Sequence, residues 1–157
     1  MTFAELIDRF AAAAAAGDGD GLADLFTPDG TYDDYFFGPC SGRAAIKQML
    51  AHFAEGGRKF RWEFYDPVCA GQTGYASYRF SFESTRPEAN GARVAFDGIG
   101  RFDLEGSRIK RYSEVFDRGM ALAQQEFEPE RLRKIELKYA AALKARPEWA
   151  GHVKSGR

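Results

Sequence analysis

Asp33 and Asp34 stand side by side in Thr31-Tyr32-Asp33-Asp34-Tyr35-Phe36-Phe37, a run otherwise built of β-branched and aromatic residues. Those residues favour a strand, and two adjacent carboxylates do not. Neighbouring side chains of a strand point to opposite faces, so only one of the two aspartates can face inward. An inward carboxylate ringed by aromatics is a candidate proton-transfer group or a bound polar residue. Turns bracket the run. Pro28-Asp29-Gly30 precedes it, and Gly38-Pro39-Cys40-Ser41-Gly42 follows it before a helix. Proline presets φ, aspartate hydrogen-bonds its own backbone, and glycine accepts positive φ.

The rest of the chain supplies a frame for that stretch. Its 157 residues are 45% hydrophobic, with 14 Phe and 7 Tyr, which suffices for one domain with its own core. The 22 basic and 23 acidic residues leave a formal net charge of -1. This balance gives no support for nucleic-acid binding or attraction to a membrane surface. Cys40 and Cys69 are the only cysteines. Two do not make a secreted disulfide scaffold, so a cytoplasmic setting is expected. The start MTFAELIDRF lacks the basic region of a signal peptide, and no span has the length of a membrane helix. His52 and His152 are the only histidines, which disfavours a histidine-cluster zinc site; no metal is expected.

Taken in order, residues 2–16 read as a helix, with Thr2 and Glu5 in a capping-box relation and Phe3, Leu6, Ile7 and Phe10 on one face. Gly17 ends it, and Asp20 starts a short second helix. After the aspartate strand, Gly42 to Phe53 reads as a third. From Phe60 the period changes to two. Strands are expected from Phe60 to an interruption at Asp66-Pro67, then over 75–83, 93–104 and 108–117. Their short connections imply an antiparallel sheet. Gly98 and Gly100 read as a bend or bulge that lets this sheet curl. Residues 118–157 read as a helical C-terminal extension. The expected fold is therefore α+β: N-terminal helices packed on a strongly curved antiparallel sheet, a cone, with extra C-terminal helices. A pocket belongs between helices and sheet. Trp62, Tyr65, Tyr78 and Arg79 form a looser ring around it whose inward members the pattern does not assign.

This order resembles the NTF2-like superfamily, in particular its SnoaL-like polyketide-cyclase and ketosteroid-isomerase branches. The stretch AAAAAGDGDGLADLFTPDGTYDDYFFG resembles their helix–helix–strand entry, and GRFDLEGSRIKRYSEVFD their last hairpin. The resemblance covers residues 3–117 and implies one domain over 1–157. It places Asp34 where the isomerases carry their proton-shuttling aspartate, and so selects Asp34 over Asp33. It also marks a departure. Phe10 stands at the oxyanion-hole tyrosine position and Gly98 at the acid position, so neither offers a donor. Asp97 belongs on the opposite face.

Other donors are available. Tyr32 shares a strand face with Asp34, and Tyr112 shares one with Glu114 and Phe116. Asp34, Tyr32, Tyr112 and Glu114 are therefore the candidate catalytic set. Asp34 would act as base or acid, and the others would orient substrate or water. Each has an ordinary alternative: Tyr32 and Tyr112 as core aromatics, Glu114 as an ion-pair partner of Arg101. The resemblance implies an isomerase, cyclase or dehydratase needing no cofactor and acting on a small apolar cyclic carbonyl compound, in a homodimer. The alternative is a noncatalytic domain that binds a hydrophobic ligand or assembles as a dimer.

Overall fold

A computed structural model of the chain describes residues 1–154. The last part of the expected extension, residues 155–157, lies outside them. Helix α1, Phe3–Ala16, begins where Thr2 and Glu5 cap each other: the Glu5 amide donates to Thr2 Oγ1 at 3.2 Å and the Thr2 amide to Glu5 Oε2 at 2.7 Å. It ends at Gly17, whose φ of 71° is a left-handed cap. Asp18 caps α2, Gly19–Asp24, through the Gly21 amide at 2.9 Å. Strands β1, Phe26–Asp34, and β2, Gly38–Ser41, form a hairpin and lead into α3, Arg43–Glu55.

Four strands follow: β3, Gly57–Ala70; β4, Thr73–Ser84; β5, Arg93–Glu105; and β6, Arg108–Phe116. Asp66-Pro67 does not end β3. Asp66 takes a φ of 51° and the pairing with β4 shifts there, so the strand passes through an irregularity and continues. Helices α4, Arg118–Ala123, α5, Pro129–Lys144, and α6, Ala150–Val153, complete the described chain. None of its helices is long and apolar enough to cross a membrane.

The six strands lie in the order β2-β1-β6-β5-β4-β3. The expectation of a strongly curved antiparallel cone is corrected on two counts. First, the sheet is mixed, because β1 runs parallel to β6, with Tyr32 beside Tyr112. Short connections dictate antiparallel pairing of β1 with β2 and from β3 to β6; β1 reaches β6 across most of the chain. Second, the sheet is open, with β2 and β3 as unjoined edges. Strong curvature was to come from a bulge at Gly98 and Gly100. Both instead keep regular register, opposite Tyr78 and Ala76 on β4. Their missing side chains make room for rings. A β-carbon on Gly98 would lie 2.5 Å from the Tyr78 hydroxyl, and one on Gly100 would lie 3.0 Å from the Tyr112 ring.

Phe10, Leu22, Phe26, Ile46, Phe102, Ile109 and Tyr112 build one fully buried cluster between the first three helices and the sheet. Tyr78, Phe80, Phe82, Val94, Phe96 and Phe116 build a second towards α4. Phe53, Trp62 and Phe64 pack against both. The site lies at this junction.

Candidate active site

Where the two clusters meet, Tyr32, Asp34, Trp62, Tyr78 and Glu114 line one cavity whose other walls are mainly aromatic. It offers about 30 Å³ to the centre of a water-sized sphere. That holds roughly one or two waters and is too small for a ring.

Glu114 is the hub. Its Oε2 accepts a hydrogen bond from the Tyr78 hydroxyl and another from the Tyr112 hydroxyl, both at 2.9 Å. Strand alternation puts Tyr112 and Glu114 on the same face of β6, and the absence of a side chain at Gly98 admits Tyr78 from β4. Burial pushes the Glu114 carboxyl up to about 8, helped by the charge of Asp34 and opposed by the two tyrosine bonds. Burial also raises Tyr78, Tyr112 and Tyr32, so all three hydroxyls keep their protons.

Asp34 ends β1 at 6% exposure. Its Oδ1 accepts the amides of Phe36 at 2.8 Å and Phe37 at 2.7 Å, closing the hairpin turn into β2. Burial raises its pKa; the two amides and Arg118 pull it back, while Asp33 adds to the rise. Asp33 itself points the other way and meets Arg111 at 2.5 Å on the opposite face. The cavity thus holds two carboxylates, both shifted upward. One comes from β1 and one from β6, with tyrosines beneath the second. Such a pair can divide the roles of base and acid.

Of the four sequence candidates, Asp34, Tyr32 and Glu114 line this cavity, and Tyr112 stands behind it in the core, joined to it only through its hydrogen bond to Glu114. Phe10 stacks on Tyr32 and tilts against Tyr112, so it serves packing. Asp97 is exposed. Arg101 pairs with Asp103 at 3.0 Å, leaving Glu114 to the tyrosines. Trp62 and Tyr78 are the inward members of the looser ring; Tyr65 and Arg79 stack on each other 4.2 Å apart, away from the cavity.

Two residues carried no signal in the sequence. Arg118, at 6% exposure, donates to the Tyr35 carbonyl from Nε at 3.0 Å and Nη2 at 2.6 Å. Its guanidinium also lies over the rings of Tyr35 and Tyr139. Tyr139 of α5 in turn donates to the Phe36 carbonyl. The helical extension therefore grips the turn that Asp34 closes. Arg118 sits one residue past an expected strand end and Tyr139 within an amphipathic helix, so nothing in the pattern set them apart. Among the described residues, no group of three His, Cys, Asp or Glu is arranged to hold a metal ion.

Helices over a six-stranded sheet, with a polar cluster in an apolar cavity, define a ketosteroid-isomerase-like fold of the NTF2-like superfamily. The family model for the SnoaL-like domain matches residues 7–112, more than half of the chain, and the chain belongs to that family. No curated protein matches it in sequence. Among solved structures it is similar to a protein with a ketosteroid isomerase-like fold from Catenulispora acidiphila, in complex with trimethylamine. The TM-score is 0.71 and the identity 21%, over 82% of this chain and 100% of that one. It is also similar to TerC co-crystallised with polyporic acid, with a TM-score of 0.68 and 18% identity over 79% and 98% of the two chains. A third is an LEH-like epoxide hydrolase from M. tuberculosis, with a TM-score of 0.63 and 16% identity over 77% and 86%. At these identities the likeness establishes the fold and leaves the chemistry to the site.

Proposed function

We propose that the protein is a cofactor-independent proton-transfer enzyme of the isomerase, cyclase or dehydratase kind, acting on a small apolar cyclic carbonyl compound. The observation that carries this reading is Glu114, a raised carboxyl held on one oxygen by two tyrosine hydroxyls in the cavity that Asp34 also lines. Asp34, ionised, takes a proton from the carbon beside the carbonyl. The C–H electron pair moves into the carbon–carbon bond, and charge develops on the carbonyl oxygen. Glu114, still protonated, donates to that oxygen from Oε1 while Oε2 stays fixed by Tyr78 and Tyr112. Asp34 then returns the proton to another carbon, or the enolate electrons form a double bond to the adjacent carbon as its bond to a leaving group breaks, and Asp34 gives its proton to that group. Tyr32 adds a hydroxyl beside Asp34.

A ring enters only when Phe36 and its turn move, because the cavity as it stands is too small. Arg118 and Tyr139 set the ease of that movement. The whole chain then works as one domain, with the extension holding the cavity mouth. A homodimer would cover the outer sheet face, where Ile99 and Val115 pair across β5 and β6 at 54% and 65% exposure.

The test is turnover of an identified substrate by D34N and E114Q. The reading expects a loss of about a hundredfold or more in kcat for each. Unchanged turnover by folded D34N sinks it. That result would favour the second reading, a noncatalytic hydrophobic-ligand binder, for which the structural work of Asp34 Oδ1 in the turn speaks.

A further inference from the structure

Trp62 lines the cavity from β3, and its indole Nε1 is buried without a hydrogen-bond partner among the described residues. Buried donors are seldom left unpaired, because their desolvation is then uncompensated. The indole has no freedom to seek an acceptor elsewhere. Phe64 stacks on it at 5.6 Å, and Phe10, Tyr78 and Phe80 meet it edge-on at 5.2–5.5 Å. It is a fixed donor beside a cavity whose other polar groups are two carboxyls and tyrosine hydroxyls.

We propose that Trp62 Nε1–H is the binding donor for a ligand oxygen in this cavity, so that the site selects rings bearing a carbonyl over hydrocarbon rings of the same shape. This rests on the reading of the cavity as a carbonyl-compound site. Trp62 positions the ligand and takes no part in the transfer of its proton. Glu114 and Trp62 give two donors, where Phe10 and Gly98 give none. The donor set thus lies on β3 and β6.

The probes are cyclohexanone and methylenecyclohexane, in which a CH2 group replaces the carbonyl oxygen. Each is titrated into the wild-type chain while the indole N–H resonances are followed by NMR. The chain has 2 tryptophans, and W149F assigns the Trp62 signal. Cyclohexanone should move that signal downfield, and methylenecyclohexane should leave its position nearly unchanged. In W62F, cyclohexanone affinity should fall about tenfold while methylenecyclohexane binds within about twofold of wild type.

A Trp62 signal that ignores cyclohexanone, or that moves alike with both probes, overturns the proposal. So does an equal loss of both probes in W62F, which marks the indole as packing only. The titration needs no turnover. A downfield shift together with an active D34N therefore removes the catalytic reading and keeps the donor. A silent Trp62 with an inactive D34N does the reverse.

Discussion

Tyr78 on β4 lies directly across from Gly98 on β5, and the Tyr78 hydroxyl occupies the space that a β-carbon at Gly98 would claim at 2.5 Å. The same β-carbon would lie 2.6 Å from the Val115 carbonyl, which is backbone and cannot yield as a side-chain tip can. The glycine is therefore a condition for the Tyr78–Glu114 bond. G98A should destabilise the fold by about 1–3 kcal/mol, the usual cost of overpacking. Urea unfolding measures this, and a wild-type midpoint would show that the strands have room to part.

Glu114 sets a pH dependence of stability. Its folded pKa of about 8 exceeds the ordinary value of 4.5. Below that ordinary value both states hold the proton. Between the two values only the folded state does, so stability falls as pH rises, by up to about 1.4 kcal/mol per pH unit. Above the folded value both release it and the slope vanishes. The upward shift of Asp34 has the same sign. E114Q should flatten the slope over roughly pH 5 to 8. Denaturant unfolding of both chains across that range checks it, and equal slopes would contradict the shift.

The two carboxyls also shape the activity profile. The proposed reaction uses Asp34 ionised and Glu114 protonated, so kcat/KM should fall on both sides of a maximum, with the alkaline fall near pH 8. The two apparent values belong to the pair, since each carboxyl feels the other. In E114Q the alkaline fall should disappear and leave a lower plateau. A profile in E114Q with the same alkaline limb would assign that limb to another group.

The turn Tyr35–Phe37 is held from three sides, by Asp34, Arg118 and Tyr139. Tyr139→Phe removes one hydrogen bond and keeps the ring over Arg118. Amide exchange at Phe36 and Phe37 should then quicken about five- to tenfold. D34N keeps an oxygen acceptor and should preserve the protection of these amides, whereas D34A should lose it. Exchange rates for the three variants separate the structural work of Asp34 from its proposed chemistry.

Period-two patterning placed the facing residues of β4 and β6, and the capping box and glycine marked both ends of α1. Strand alternation narrowed Asp33 and Asp34 to one inward residue, and the structure turns Asp34 in and Asp33 out to Arg111. What the sequence left hidden depends on distance along the chain. The parallel pairing of Tyr32 with Tyr112 joins strands separated by α3 and four other strands, and no local signal specifies it. Gly98 suggested a bulge because a glycine in a strand more often signals backbone bending than a neighbour's hydroxyl. Arg118 and Tyr139 acquire their role only when α5 folds back on the turn.

The central claim is that Glu114 remains a neutral acid in the cavity at physiological pH, facing the same space as Asp34. Carbon NMR of its side-chain carboxyl, followed through a pH titration with E114Q as the assignment control, tests this without a substrate. The account predicts a midpoint near 8. A midpoint at the ordinary 4.5 would mean that Glu114 is a charged group merely satisfied by two tyrosines, and would contradict the account.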